Sequence, residues 1–179
     1  MSETQSPKEI FIHYGGSHFH MERDGIYQTY KSYNISRDQE IEWLSEYQDC
    51  LARKISESPT DSDSFSKLCQ VVTLEGNIES LNKLINLTRN NAELLDSFSK
   101  VRYAEELIRT VKEFSRHRKH ELYSEIINIS KWLLQYVLTN PVTVAPHYRK
   151  ISYLRGVLPD GKITSRAMAN LKEIKELKF

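Results

Sequence analysis

A mainly α-helical bundle of five to six helices is the fold this sequence predicts, and three observations predict it. From Ser36 to Leu138 apolar residues recur at three- and four-residue intervals; residues suited to helix N-caps precede several of these runs; and Pro or Gly stands where runs should stop. Two departures from helix are expected. One is a short β-like segment at the N-terminus, the other a small hairpin within residues 148–164.

Residues 10–14, Ile-Phe-Ile-His-Tyr, are β-branched and aromatic and run into Gly15-Gly16, the pattern of a strand closed by a turn. Tyr27, Tyr30 and Tyr33 follow at every third residue, which suits a helical turn or an extended segment laid over a core. Residues 1–35 therefore read as a strand and Tyr-rich arm packed on the bundle. Ser36 and Gln39 form a capping pair for the first long helix, which buries Ile41, Leu44, Tyr47, Leu51 and Ile55 until Ser58-Pro59 stops it. The second runs from about Asp63 to Glu75 with Phe65, Leu68, Val71 and Val72 inward, and Gly76 is placed for a left-handed C-cap.

The third helix, Asn77 to about Arg89, buries Ile78, Leu81, Leu84 and Ile85. A fourth is expected to run unbroken from an Asn90 cap to about Arg116, carrying Leu94, Phe98, Val101, Val111 and Phe114 inward. The fifth, about Lys119 to Leu138, turns Tyr123, Ile126, Leu133, Leu134 and Val137 inward before Asn140-Pro141 ends it. Residues 36–140 thus form the helical core. In residues 141–179, Pro159-Asp160-Gly161 reads as the turn of the hairpin, and Thr164 or Ser165 caps a last helix, completing a single domain. Asp63-Ser64-Phe65-Ser66-Lys67 recurs as Asp96-Ser97-Phe98-Ser99-Lys100, an offset of 33 residues that matches a helical-repeat period.

Hydrophobic residues at 39% and charged residues at 27% are those of a soluble globular chain, and no apolar run is long enough to span a membrane. The polar N-terminus lacks the order of a secretory signal, so a cytoplasmic protein is expected. Cys50 and Cys69 lie too far apart for a CxxC motif and read as small buried hydrophobes.

Charge is unevenly distributed. Residues 36–63 hold eight acids against three bases, and residues 112–179 hold thirteen Lys and Arg against six acids. The basic half could meet nucleic acid or an acidic partner through Lys112, Arg116, Arg118, Lys119, Arg149, Lys150 and Arg155. Tyr148 and Tyr153 interleave with Arg149, Lys150 and Arg155 as base-stacking candidates, while Tyr27, Tyr30 and Tyr33 are candidates for stacking on a ligand.

The stretch most suggestive of chemistry is His13 to His20, which holds three of the six histidines. If extended, it sets His18 and His20 on one side with His13 nearby, so the three imidazoles are candidate ligands for a divalent metal such as zinc. Gly15, Gly16 and Ser17 are alternatively candidates to offer backbone N–H groups to a phosphate. No catalytic motif accompanies either arrangement, and no cofactor is otherwise indicated. The leading expectation is a non-enzymatic interaction module, an accessory or regulatory subunit that binds a protein partner or itself. The alternatives are contact with nucleic acid and a metal- or phosphate-binding enzyme centred on the histidines.

Overall fold

Helix begins where the residue pattern suggested strand. In the computed structural model, which describes residues 5–115 and 121–177, Ser6 caps a first helix, α1 (Pro7–His13). The Ser6 hydroxyl accepts the Glu9 N–H at 3.2 Å, the Glu9 carboxylate accepts the Ser6 N–H at 2.7 Å, and Pro7 stands in the first turn. This reciprocal cap prevails over the β preference of Ile10-Phe11-Ile12, since a helical face buries Ile10 and Phe11 as fully as a strand would. The expected β-like segment is therefore helical.

The Gly15-Gly16 turn does form, with both residues at positive φ (+58° and +81°). A Cβ on Gly16 would lie 2.6 Å from Leu44 Cδ2, so glycine lets the chain pass close over the next long helix. Two short helices follow, α2 (His18–Arg23) and α3 (Tyr27–Lys31).

Beyond the arm stand α4 (Arg37–Glu57), α5 (Ser62–Glu75), α6 (Ile78–Asn91), α7 (Ser97–Ser115), α8 (Glu121–Thr139), α9 (Pro146–Arg149) and α10 (Asp160–Glu176). Ten α-helices thus occur among the described residues where five or six were expected. The surplus is four short helices, α1–α3 and α9, in segments read as strand, arm or hairpin. Gly76 adopts the left-handed C-cap assigned to it, at φ +64°.

The expected fourth helix is broken. Asn90 belongs to α6, a 3₁₀ turn occupies Ala92–Leu94, and the Asp96 carboxylate then accepts the Ser99 N–H at 2.6 Å to start α7. The same cap opens α5, where Asp61 accepts the Ser64 N–H at 3.1 Å. Equivalent caps therefore lie 35 residues apart, and the 33-residue echo pairs positions that differ in the two helices.

No hairpin forms in residues 148–164, where α9 and a 3₁₀ turn at Ser152–Leu154 lead into α10. Pro159 stands at the N-cap position of α10, so the Pro-Asp-Gly sequence initiates helix instead of reversing the chain. Thr164 and Ser165, expected caps, lie inside α10 and donate back to the carbonyls of Asp160 and Gly161.

Helix α7 is the axis of the assembly, packed by α8, α5 and α10. Its Val101, Tyr103, Ala104, Leu107 and Val111 are fully buried. α4 lies against α5, α6 closes against α5 and α8, and α1 rests on α4, so arm and bundle share one core reaching from Ile10 to Ile174. Tyr103 stacks on Phe65 at 3.5 Å, and its hydroxyl donates to the Pro59 carbonyl at 2.7 Å. Arg166 of α10 grips Glu105 of α7 with two nitrogens at 2.6 and 3.1 Å. Among the described residues no helix is long and apolar enough to cross a membrane.

Candidate functional site

The three N-terminal histidines do not converge. In a helix, residues two apart point roughly 200° away from each other, so α2 sends His18 and His20 to different places. Among the described residues no group of three or more His, Cys, Asp or Glu side chains is placed to hold a metal ion. The expected zinc cluster of His13, His18 and His20 is thus not assembled. The extended geometry that put these imidazoles on one side is absent.

His18 turns to α4, where its Nε2 lies 2.6 Å from the Glu40 carboxylate. Glu40 is buried and also accepts from the Tyr30 hydroxyl at 2.9 Å and from Arg37 at 3.0 Å. Burial alone would raise the Glu40 pKa; the hydrogen bonds from Arg37, Tyr30 and His18 outweigh it and hold the carboxyl below the usual glutamate value. The Tyr30 phenol is pushed up, by burial first and then by its bond to the carboxylate. Phe11 stacks on Tyr30 at 5.7 Å and completes the fastening between arm and bundle. The hollow beside this node, about 290 Å³, is lined by Tyr27, Lys31, Asn34 and Ile35.

His13 and His20 face a different place. Tyr14, Gly15 and His20 overhang α5 and α7, leaving two adjoining cavities of about 460 and 280 Å³ that share these residues and Gln70. His13, Arg23, Asp24, Tyr47 and Lys67 enclose the outer cavity. Ser17, Cys69, Thr73, Leu74, Arg109, Thr110 and Glu113 line the inner one. Arg23 grips Asp24 at 2.8 and 3.3 Å, which holds that carboxyl below its usual value, with smaller contributions from His20 and His13. Burial pushes the Cys69 thiol far up, so it offers no thiolate.

The phosphate loop expected of Gly15, Gly16 and Ser17 is not presented. Their N–H groups donate to the carbonyls of Ile12, Phe11 and Tyr14, and the Ser17 hydroxyl accepts the His20 N–H as the cap of α2. Ending α1 and starting α2 within four residues consumes the donors.

The tyrosine candidates divide by burial. Tyr30 and Tyr148 are buried, Tyr27 is half-buried against His18, and Tyr33 and Tyr153 are exposed. Tyr148 packs edge-on to Phe98, and its hydroxyl accepts the Ser62 N–H, donates to the Thr60 carbonyl and meets the Ser62 and Ser99 hydroxyls, so it is unavailable for stacking on a base. Of the basic candidates, Lys112 pairs with Glu173 of α10, while Arg149, Lys150 and Arg155 are exposed. Arg116, Arg118 and Lys119 lie outside the described residues.

One surface was missed from the sequence. Between the end of α6 and the outer face of α8 runs a groove of about 620 Å³, floored by Ala92, Ile129 and Trp132 and edged by Glu93, Glu121 and Glu125. Trp132 is 42% exposed, and Tyr136 lies one turn further along α8 with its ring 5.8 Å away. Arg89 neutralises Glu125 at 2.6 Å, which among the described residues leaves Glu93 and Glu121 as the unneutralised charges of the rim. Aromatics four apart on the otherwise polar face of α8 are the signal that marks it. No protein-family model, curated protein or solved structure matches this chain.

Proposed function

We propose that the protein is a helical protein–protein interaction module, an accessory or regulatory subunit, whose α6–α8 groove receives a cationic amphipathic helix of its partner. The groove carries the reading. It pairs an exposed indole, the side chain most concentrated at binding hot spots, with an apolar floor and an acidic rim, the complement of a helix with one apolar face and lysines beside it.

Fluorescence tests this directly, because Trp43 is buried and Trp132 is exposed. In a Trp43→Phe variant, Trp132 becomes the sole reporter, to be titrated with a synthetic Leu/Lys helical peptide and with its Leu/Glu counterpart. The expected result is a saturable blue shift with the cationic peptide alone, weakened by Glu93→Lys with Glu121→Lys. No shift, or equal shifts with both peptides, refutes the reading.

A second reading, contact with single-stranded nucleic acid, is supported by Tyr153, which is 75% exposed and stands among exposed Arg149, Lys150 and Arg155. Binding of a labelled oligonucleotide that weakens steeply with salt and is lost on Tyr153→Ala would favour it.

A further inference from the structure

The geometry points to the cleft beneath the N-terminal arm as a binding site for a small phosphate monoester, its phosphate in the outer cavity and a compact apolar body in the inner one. This inference is independent of the groove on α8.

The outer cavity gathers donors from three separate helices. His13 comes from the end of α1, His20 from α2 and Lys67 from α5, and among the described residues none of these side chains makes a hydrogen bond or ion pair. Gln70, shared by both cavities, is likewise uncommitted. Asp24 is the one carboxylate there, and Arg23 already neutralises it through two nitrogens. Lys67, His13, His20 and Gln70 are exposed and hydrated, and no carboxylate in the cavity balances the ammonium of Lys67. An oxyanion can replace that water: a phosphate has several oxygens to share among donors arriving from different directions, and its charge strengthens each bond.

The inner cavity differs in character. Leu74 and the un-ionised Cys69 thiol form apolar walls, and the Thr73 hydroxyl is committed to the Cys69 carbonyl. Arg109, at its edge, is paired with Glu106, and Glu113 brings a carboxylate to the same cavity. At about 280 Å³ this cavity has room for a ring or short chain, and with Arg109 paired and Glu113 present it favours a neutral body over a second anion. The roof is held by the Gly15-Gly16 turn over Leu44 and by the Glu40 node, so the cavity stands ready without rearrangement of the arm.

Phenyl phosphate is a suitable probe, with inorganic phosphate and phenol as its two halves. Titrated into the full chain carrying ring-labelled histidine, it should shift the His13 and His20 signals saturably. The ring signals of His18, held by Glu40, and of exposed His147 should stay in place. Lys67→Ala and His20→Gln, both at exposed positions, should each weaken binding about tenfold, and inorganic phosphate should bind more weakly than the ester. Shifts of all these rings together, linear in concentration, would mean surface attraction and overturn the proposal. So would an absence of shifts, unchanged binding in the Lys67→Ala variant, or phenol binding as tightly as the ester.

Discussion

Replacing Glu40 by alanine should cost far more than removing an ordinary surface carboxylate, and the structure says where the cost arises. Tyr30 is 3% exposed, so losing its acceptor strands a buried hydroxyl, a penalty of about 1–3 kcal/mol. The side chains of His18 and Arg37 are 41% and 59% exposed; both rehydrate, and their lost pairing adds little. The one methylene removed with the carboxylate adds about 1 kcal/mol, giving roughly 2–4 kcal/mol in all. If the stranded hydroxyl dominates, the same substitution in a Tyr30→Phe background should cost about 1–2 kcal/mol less. Urea unfolding followed by far-UV circular dichroism measures all four corners of this cycle. A loss below about 0.5 kcal/mol, or strict additivity, would refute the account. The pH dependence has a definite sign. Because the folded-state pKa of Glu40 is depressed, its stabilisation is present above the unfolded value of about 4.3 and is lost as pH falls through the folded one, so Glu40→Gln should flatten that part of the acid limb.

Gly16→Ala should destabilise by about 1–3 kcal/mol, because positive φ is compounded by a Cβ 2.6 Å from Leu44; Gly15→Ala, with open space around it, should cost only about 1 kcal/mol, and thermal denaturation ranks the two. Of the two thiols, a thiol reagent should label Cys50 quickly in the native protein and leave Cys69 until unfolding, as mass spectrometry of the labelled peptides would show. Arg166→Ala should lower stability by about 1–2 kcal/mol, since it removes both bonds to Glu105 and the cation over Phe98; a loss near zero in chemical denaturation would show the pair to be solvated.

Helices α4 and α5 were legible because each declares itself twice, in a 3.6-residue apolar stripe and in a cap: Ser36 opens α4 and Gly76 closes α5. The starts of α7 and α10 were misplaced because Asn90, Thr164 and Ser165 offered competing caps. The arm was misread for a physical reason. Its evidence for helix lies in Ser6, Pro7 and Glu9 at its start, while Ile10-Phe11-Ile12 speaks for strand, and three adjacent residues carry no period by which to decide. The Glu40 node was hidden because a glutamate in the first turn of an acidic helix reads as solvated charge; its burial depends on His18 and Tyr30 arriving from another segment. The same holds for the cleft. Lys67 stands three residues before Gln70 on an exposed face of α5, and nothing in that spacing reports the arm above it.

The Tyr148 hydroxyl has a consequence for the order in which the chain folds. It joins the α4–α5 connection to α9 across more than eighty residues, whereas α7 and α8 are neighbours in the chain and pack on each other most extensively. Closing so long a loop late is cheaper than closing it early, because the helices between its ends are by then already ordered. A Tyr148→Phe chain should consequently refold at nearly the original rate and unfold faster. The hydroxyl acts as a latch on the finished fold rather than as part of its nucleus.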